Sequence, residues 1–516
     1  MVVMPFQNEP YEDFSIPENR KAMEAAIAKV EAEFGKEWDL VIGGEHIKTD
    51  KKIESINPSN PDQIVGIAQA ATPELANKAI DVAAEAFERW KFTPAEERAG
   101  YLFKAAAEMR RRKMELAATM VLEIGKNWLE AIADVAEAID FLEFYGREML
   151  RLSQPQPLTP FPNEINQYFY IPLGVGVVIP PWNFPLAILV GMTSASLVTG
   201  NTVVLKPASI TPVIAAKFME IMEAVKLPPG VLNLVTGGGG TIGDVLVDNP
   251  KTRFVNFTGS KEVGLRIVER AAKIQPGQRW IKRVAAEMGG KDAIIIDSEA
   301  DIDAAVEGTV ISAYGFQGQK CSACSRLIVD QSVYDEVVEK LIERTKKITV
   351  GPVKYYENYM GPISSAGQEQ KILEYIEIGK KEARLVLGGK KLDMEGYFIE
   401  TTIFIDADRK ARIAQEEIFG PVLTVIKARD YDDALDIAND SEYGLTGGVY
   451  TNNREKIERA KREFHVGNLY FNRKITGALV DVQPFGGYNM SGTCSKAGGR
   501  DYLLLFMQGK SVAERL

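Results

Sequence analysis

Between residues 175 and 272, short apolar runs alternate with longer amphipathic stretches. Each run has four or five residues, rich in Val, Ile, Leu or Phe, as in strands covered on both faces of a parallel sheet. The predicted order is strand Val175–Ile179, helix Leu186–Thr199, strand Thr202–Leu205, helix Val213–Val225, strand Val231–Val235, helix Ile242–Val247, strand Phe254–Phe257 and helix Lys261–Ala272. This alternation favours a parallel, doubly wound α/β sheet and makes the region a candidate nucleotide-binding domain.

A second alternating series extends from Ala293 to about Phe471. Its predicted strands are Ala293–Ile296, Leu327–Val329, Phe398–Ile405 and Val422–Ile426. The N-terminal region is predicted to contain a helix at Ile16–Phe34, strands at Asp39–Ile42 and Ile53–Ile56, and then helices to about Leu152. The four prolines of residues 153–162 indicate a linker or an arm.

Two of the N-terminal helices have recognisable start signals. Thr72-Pro73 is one of them. Thr93-Pro94-Ala95-Glu96 is the other, and we interpret it as a capping box with proline at the first helical position.

The composition narrows the class of protein. A chain of 516 residues with 46% hydrophobic and 26% charged residues is typical of a soluble protein of two or three domains. Its net charge of −10 argues against nucleic acid or an anionic membrane as partner. No secretory signal is visible, and three cysteines fit a reducing compartment, so we expect a cytoplasmic protein.

The two histidines, His46 and His465, argue against a histidine-based triad or a multi-histidine metal site. We expect no metal, and a general base must be a carboxylate, a lysine or water. The apolar stretch 173–198 is broken by Pro180, Pro181 and Pro185, which favours a strand, a turn and a helix over a membrane span.

Three segments carry candidate chemistry. Cys321 ends Gly318-Gln319-Lys320-Cys321, and Glu287 stands 34 residues before it in Ala286-Glu287-Met288-Gly289-Gly290. Asn183 lies in Pro180-Pro181-Trp182-Asn183-Phe184-Pro185. A thiol, a carboxylate and an amide can serve as nucleophile, base and oxyanion donor. A buried structural cysteine, a solvated glutamate and a turn asparagine are the alternatives. The small and polar neighbours of Cys321 favour an exposed loop.

Cys321 and Cys324 also form a C-x-x-C pair. That spacing occurs in redox dithiols and in half of a zinc site, but the remaining cysteine, Cys494, is distant. A hypothesis that stays open is a reversible disulfide between Cys321 and Cys324 under oxidative stress.

Gly238-Gly239-Gly240-Thr241-Ile242-Gly243 matches the dinucleotide pattern G-x-G-x-x-G between a strand and a helix. No acidic residue follows about 20 positions later at a strand end to hold a ribose. The match is therefore weak evidence for a cofactor site.

The segments around Cys321, Glu287 and Asn183 resemble, in order and spacing, the signature segments of the NAD(P)-dependent aldehyde dehydrogenases, and the similarity extends from about Trp38 to the C-terminus. The resemblance implies two doubly wound α/β domains and a small oligomerisation arm. The implied domains are an NAD-binding domain of residues 1–149 and 172–286, a catalytic domain of residues 287–472, and an arm and tail of residues 150–171 and 473–516.

The resemblance also implies roles for individual residues. Cys321 would be the nucleophile and Glu287 the base that activates water, while Asn183 and the backbone N–H of Cys321 would bind the oxyanion. The implied NAD-binding residues are Ile179, Pro181, Trp182, Lys206, Ser209, Gly259, Ser260, Gly289, Glu417 and Phe419. Many NAD-preferring relatives have glutamate where Ser209 stands, so we expect NAD as the main cofactor with NADP tolerated.

Within the family, the chain is most similar to the bacterial branch that acts on L-glutamate γ-semialdehyde, the open form of 1-pyrroline-5-carboxylate, in proline breakdown. The supporting segments include Gln275-Pro276-Gly277-Gln278, Thr476-Gly477-Ala478 and Pro484–Gly499. The implied substrate residues are Glu137, Phe184, Lys320, Ser322, Gly477, Ala478 and Phe485. For Lys320 and Glu137, a solvated lysine and a helix-surface glutamate are the alternatives.

Three alternative functions are compatible with the sequence. One is a dehydrogenase for another polar aldehyde, such as succinic semialdehyde or betaine aldehyde. The others are a CoA-dependent acylating enzyme, which Glu287 disfavours, and a non-enzymatic protein that reuses the scaffold.

The resemblance implies a homo-oligomer. Leu150–Ile171 and the tail after Asp481 would bury surface against another subunit, and the apolar run Leu503–Met507 fits this expectation. A proline dehydrogenase is a possible functional partner.

Overall fold

The computed structural model describes residues 4–516. The first part of the chain contains α1 (Pro17–Glu31), β1 (Glu37–Trp38), β2 (Leu40–Ile42), β3 (Glu45–Ile47), β4 (Lys52–Asn57), β5 (Asn60–Gln69), α2 (Pro73–Trp90), α3 (Ala95–Arg111), α4 (Lys113–Ile124) and α5 (Trp128–Leu152). The next part contains β6 (Glu164–Pro172), β7 (Val175–Ile179), α6 (Ala187–Val198), β8 (Thr202–Leu205), α7 (Pro212–Ala224), β9 (Leu232–Leu234), α8 (Asp244–Asp248), β10 (Thr252–Thr258), α9 (Lys261–Ala272) and β11 (Arg283–Glu287).

The C-terminal half continues the alternation. It contains β12 (Asp292–Ile296), α10 (Ile302–Tyr314), β13 (Cys324–Asp330), α11 (Tyr334–Thr345), α12 (Ala366–Glu382), β14 (Arg384–Leu387), β15 (Thr402–Ile405), α13 (Arg412–Gln415), β16 (Val422–Ala428), α14 (Tyr431–Asn439), β17 (Tyr443–Gly444), β18 (Thr446–Tyr450), α15 (Arg454–Glu463), β19 (Asn468–Phe471), β20 (Tyr488–Asn489) and β21 (Met507–Arg515).

Two seven-stranded sheets organise these elements. The first has the order β11-β10-β7-β8-β9-β2-β3, parallel from β11 to β9. The second has the order β14-β15-β16-β13-β12-β18-β19, parallel except for β14. Helices cover both sheets, and the strand residues between them form the apolar cores. The α/β class predicted from the sequence is confirmed.

Smaller sheets complete the fold. β1, β5 and β4 form a three-stranded sheet, β17 pairs with β20, and β21 pairs antiparallel with β6 over nine residues of each strand. Within the described part of the chain, no helix has the length and apolar character needed to cross a membrane.

The start of α2 illustrates how local sequence sets an element. The side chain of Thr72 accepts a hydrogen bond from the backbone N–H of Leu75, and Pro73 occupies the first turn. Ala76, Ala79, Ile80 and Ala83 recur at helical spacing and are all buried.

The capping box predicted at Thr93 is wrong. Pro94 directly precedes α3, and no side chain caps this helix. The carbonyl of Thr93 instead accepts from the guanidinium of Arg98, which is 8% exposed and also donates to the carbonyl of Val198 at 2.7 Å. The buried guanidinium of Arg98 therefore ties the start of α3 to the end of α6.

Two other predictions need correction. The strand expected at Phe398–Ile405 begins only at Thr402, because Phe398 and Ile399 pair with the preceding segment at Leu392 and Lys391. In the apolar run 503–507, Leu503, Phe506 and Met507 are buried within their own subunit, so these three side chains are not free to cover a partner.

Candidate active site

Cys321 lies in a tightly held loop between α10 and β13. Phe316, Gln317 and Gly318 have φ values of 49°, 57° and 68°, in the left-handed region. Such a conformation costs a non-glycine residue roughly 1–3 kcal/mol. The Gln317 side chain offsets the cost by donating to the carbonyls of Gly125 at 3.0 Å and Pro362 at 2.7 Å. The loop is not exposed, contrary to the sequence expectation, since Gln319, Lys320 and Ser322 are buried.

The surroundings of Cys321 disfavour a thiolate. Burial raises the pKa of the thiol well above its ordinary value, and the carboxyl groups of Asp292, Glu417 and Glu287 raise it further. At neutral pH the sulfur is therefore protonated until a base removes the proton. Cys321 also lines two cavities, so reagents can reach it from two sides.

Glu287 is the last residue of β11, at the carboxyl end of the sheet. Its Oε1 accepts from Ser495 Oγ at 2.5 Å and from the Ser495 N–H at 3.2 Å, and its Oε2 accepts from the Gly487 N–H at 3.1 Å. Burial outweighs these donors and raises the pKa of Glu287 to about 8. This carboxyl can therefore gain or lose a proton near neutral pH.

Asn183 lies in the turn between β7 and α6 and is 5% exposed. Its Nδ2 donates to the carbonyl of Gln319 at 3.1 Å, two residues before the nucleophile candidate. This is the only hydrogen bond that Nδ2 donates within residues 4–516, so its second N–H remains available to a bound group.

The first cavity is lined by six of the seven predicted substrate residues together with Cys321 and Glu287. The six are Glu137, Phe184, Ser322, Gly477, Ala478 and Phe485. Phe141, Tyr145 and Tyr502 also belong to the wall.

Two kinds of polar group face this largely apolar space. The backbone N–H groups of Gly477 and Ala478 have no partner among the described residues, and the φ of Gly477 is +75°, in a region that favours glycine. Glu137 is half-buried and lines the cavity, so it is not a solvated residue of the helix surface. Burial and the nearby Asp134 raise its pKa to about 8.

Lys320 is the exception among the predicted substrate residues. It is 8% exposed, so the alternative of a solvated lysine is wrong. It does not line the first cavity, and a role toward the substrate stays a prediction. Its Nζ lies 2.7 Å from Oε1 of Glu130 on α5. The lysine beside the nucleophile is thus part of an ion pair.

Sequence reasoning named Glu137 but missed two other acids on the same face of α5. Glu130, Asp134 and Glu137 are spaced i, i+4, i+7, which places them on one helix face. That spacing was the signal in the sequence, since carboxylates repeated on an inward face require partners.

Asp134 has such a partner in Lys126. Both side chains are fully buried, and Nζ of Lys126 lies 2.7 Å from Oδ2 of Asp134. The other oxygen of Asp134 accepts from the Ala187 N–H at 2.6 Å. The Lys126 ammonium lies 3.9 Å from the centroid of the Phe184 ring and 4.7 Å from that of Phe316. One buried ion pair therefore supports both the Asn183 turn and the Cys321 loop.

The second cavity is lined by eight of the ten residues predicted to bind a cofactor, and by Asn183 and Cys321. The eight are Ile179, Pro181, Trp182, Gly259, Ser260, Gly289, Glu417 and Phe419. Ser260 caps α9, a 12-residue helix whose N-terminus carries unpaired N–H groups suited to an anion. The rings of Trp182 and Phe419 meet edge to face at 5.4 Å.

Glu417 is held in this cavity by backbone contacts. Its Oε1 accepts from the Gly290 N–H at 3.0 Å, and a Cβ at Gly289 would collide with the carboxylate. Burial raises the pKa of Glu417. A glycine at 289 is therefore needed for the carboxylate to occupy this position.

Lys206 and Ser209 are not among the lining residues. Lys206 is 5% exposed, and burial lowers its pKa to about 8. Within residues 4–516 its Nζ hydrogen-bonds only to the carbonyl of Pro207, at 3.3 Å. Ser209 Oγ donates to the carbonyl of Gly237 at 3.2 Å. Gly238–Gly240 of the glycine-rich match is exposed and also lies outside the second cavity.

The chain is similar to several known proteins. The model of the aldehyde dehydrogenase family matches residues 46–512. The 1-pyrroline-5-carboxylate dehydrogenase of a Geobacillus species (strain WCH70) is 58% identical over 513 residues, covering 99% of this chain and all of the relative.

Two solved structures are also similar. A Thermus 1-pyrroline-5-carboxylate dehydrogenase with bound NAD is 56% identical, with a TM-score of 0.99 over the full length of both chains. Proline utilization A from Bdellovibrio bacteriovorus is 46% identical with a TM-score of 0.98, and the match covers 99% of this chain and 53% of that longer one.

Proposed function

We propose that this chain, which belongs to the aldehyde dehydrogenase family, oxidises L-glutamate γ-semialdehyde to L-glutamate with NAD, the second step of proline breakdown. The observation that carries the proposal is the meeting of two cavities at Cys321. One has groups for both ends of an amino-acid aldehyde, and the other has the features of a dinucleotide site.

The first cavity complements the substrate. The ammonium group can bind Glu137 and stabilise its charged form. The free N–H groups of Gly477 and Ala478 and the hydroxyl of Ser322 can bind the α-carboxylate. Phe184 and Phe485 can flank the methylene groups between them. An aldehyde that lacks either charged group would leave part of this cavity unpaired, which costs affinity.

The residues of the second cavity fit NAD. The N-terminus of α9 at Ser260 suits the pyrophosphate, and the oriented carboxylate of Glu417 suits the hydroxyl groups of a ribose. Lys206, a buried cation without an acidic partner among residues 4–516, is available for the other ribose. Ser209 places no carboxylate near a 2′-phosphate, so we propose that NADP is also accepted.

The chemistry begins at the thiol. Glu287 is the carboxyl group of the first cavity that receives the Cys321 proton, and the sulfur then attacks the aldehyde carbon. Asn183 and the Cys321 N–H donate to the oxygen that becomes negative. When bound, NAD accepts a hydride from this carbon, which leaves a thioester on Cys321.

Release of the product needs water. After losing its first proton to solvent, the Glu287 carboxylate takes a proton from water, and the hydroxide attacks the thioester carbon. The carbon–sulfur bond breaks, Cys321 leaves as a thiolate, and the proton held by Glu287 returns it to a thiol. A carboxyl beside the thioester favours water over coenzyme A as the acceptor.

We also propose a cytoplasmic homo-oligomer in which residues 150–171 and the tail form the contact. In support, Ile165 and Phe169 of β6 are 44% and 37% exposed, and Phe161 of the preceding arm is 64% exposed. A proline-oxidising enzyme that supplies the substrate is the proposed functional partner. We assign residues 1–149 and 172–286 to cofactor binding and 287–472 to catalysis.

A substrate panel tests the proposal. NAD reduction is followed with glutamate semialdehyde, succinic semialdehyde, betaine aldehyde and propanal. We expect kcat/KM for the first to exceed the others by at least tenfold, since succinic semialdehyde lacks the ammonium group and betaine aldehyde lacks the carboxylate. Comparable values for all four would leave the thiol chemistry in place and remove the substrate assignment.

A further inference from the structure

The N-terminal segment, residues 4–14, packs against α3 and α5, ahead of both seven-stranded sheets. The carbonyl of Met4 accepts from Arg147 Nε at 2.9 Å, and the ring of Phe6 lies 5.3 Å from that of Phe144. The carboxylate of Glu9 pairs with Arg110 at 2.8 Å. The mechanism above uses none of these contacts.

Within this segment, Asn8 contacts the residue most distant from it in the sequence, Val480. Its Nδ2 donates to Oδ2 of Asp140 at 2.9 Å and to the backbone carbonyl of Val480 at 3.0 Å. The other oxygen of Asp140 accepts from the Glu9 N–H at 2.6 Å. The Asn8 amide thus joins α5 to Val480, which lies 472 positions after Asn8 in the sequence.

Asn8 joins two places that belong to, or directly adjoin, the lining of the first cavity. Asp140 is one helical turn after Glu137, and Val480 ends the segment that begins with Gly477 and Ala478. Glu137 and those two backbone N–H groups are the proposed partners of the ammonium and the carboxylate. The distance between the two places therefore has to match the substrate's two charged groups.

Other contacts hold this segment from its C-terminal side. The Leu479 N–H donates to Oε1 of Gln483 at 3.0 Å, and the Asp481 N–H donates to the carbonyl of Gly498 at 2.9 Å. Gly498 is tied to α5 in turn, because its N–H donates to the hydroxyl of Tyr145 at 2.8 Å. Asn8 adds the direct link between the segment and the turn of α5 next to Glu137.

We propose that Asn8 is a positioning residue that fixes the spacing between Glu137 and the Gly477–Ala478 N–H groups, so that the N-terminal segment sets the specificity for an aldehyde carrying an amino-acid end. The inference deepens the proposed function and rests on it. Asn8 contacts the backbone of Val480 at the edge of the cavity but does not contact the nucleophile or line the cavity itself, so its loss weakens recognition of the charged end and spares the reaction at the aldehyde.

The test compares Asn8→Ala and Asn8→Asp with Asn19→Ala in the full-length protein. Asn19 is a matched control, because its Nδ2 also donates to a backbone carbonyl, that of Asp13 at 2.9 Å, away from the cavity. We expect both Asn8 variants to raise KM for glutamate semialdehyde about fivefold or more, because the hydrogen bonds that join Asp140 to Val480 are lost. Asn8→Asp has the larger effect, because it places a second carboxylate beside that of Asp140. In both, kcat, the KM for propanal and the Kd for NAD stay within about twofold of those of the Asn19 variant.

Amide hydrogen exchange of residues 477–482 gives a second readout that needs no substrate. Exchange there should accelerate in both Asn8 variants and not in the Asn19 variant. Unchanged exchange together with an unchanged KM would overturn the proposal, and so would an equal loss with both aldehydes. If the wild-type protein itself fails to prefer glutamate semialdehyde, the proposed function fails, and faster exchange would still show that Asn8 ties the segment down.

Discussion

The hydroxyl group of Ser495 donates a hydrogen bond to Oε1 of Glu287, and the two oxygen atoms are 2.5 Å apart. A second donor, the Ser495 N–H, approaches the same oxygen at 3.2 Å. Donors of this kind favour the charged carboxylate, and burial opposes them. The balance leaves the pKa of Glu287 at about 8, so small changes at residue 495 should be visible in the pH dependence of turnover.

We expect Ser495→Ala to shift that dependence to higher pH. Below about pH 8 the Glu287 carboxyl is mostly protonated and cannot take a proton from water, so thioester hydrolysis increases as the pH rises through the pKa. Removing a donor from the charged form raises the pKa further, by on the order of one unit. The rate at pH 7 should fall several-fold and recover at higher pH, measured as steady-state NAD reduction.

Thr493→Ala is the matched control for that experiment. Its hydroxyl lies in the same loop but contacts the backbone of Ala286 rather than the carboxylate. An equal shift of the pH midpoint in both variants would mean that disturbance of the loop, and not the bond to Glu287, is responsible.

Glu287→Gln should separate the two half-reactions. Attack by Cys321 and hydride loss give one equivalent of reduced cofactor, and the thioester then persists because no carboxylate activates water. We expect one equivalent of reduced cofactor, formed more slowly than in the wild type because water must take the thiol proton, followed by a steady rate lowered by a factor on the order of 100 or more. Rapid mixing measures both phases, and full steady turnover would contradict the role of Glu287.

Cys321→Ala should abolish both the burst and the steady rate, since no other group can form the thioester. Cofactor affinity, measured by titration of NAD binding, should change little because Cys321 is only one of many residues lining the second cavity. Cys324→Ser is the control, since the buried Cys324 Sγ contacts the carbonyl of Arg326 at 3.4 Å and a hydroxyl can keep that bond. Activity in Cys321→Ala, or its loss in both variants, would contradict the assignment.

Ser209→Glu should narrow the choice of cofactor. A carboxylate after β8, near Lys206, would repel a 2′-phosphate and could accept from ribose hydroxyl groups. We expect kcat/KM for NADP to fall at least tenfold while that for NAD changes less than threefold, with Ser209→Ala as the neutral comparison. Equal losses with both cofactors would indicate that residue 209 does not face the ribose.

Local sequence predicted much of the architecture. The predicted bounds of β7, β8 and α9 agree with the structure to the residue. The signals that set these bounds are local, since a run of buried β-branched residues defines a strand and the side chain of Ser260 caps the helix that directly follows it. The capping box predicted at Thr93 was wrong because a long-range contact acts there. Arg98 donates both to the Thr93 carbonyl and to the carbonyl of Val198 at the end of α6, and no local pattern reveals the second contact.

The sequence by itself determined the chemical groups: one thiol, one carboxylate at a strand end and one amide in a proline-flanked turn, in the order that the family shares. Only the tertiary structure decided how they are held. Lys320 was expected beside the substrate, yet it pairs with Glu130, 190 positions away, and Glu287 depends on Ser495, 208 positions away. Such pairings are set by burial, because a charge removed from water must find a partner wherever the fold brings one.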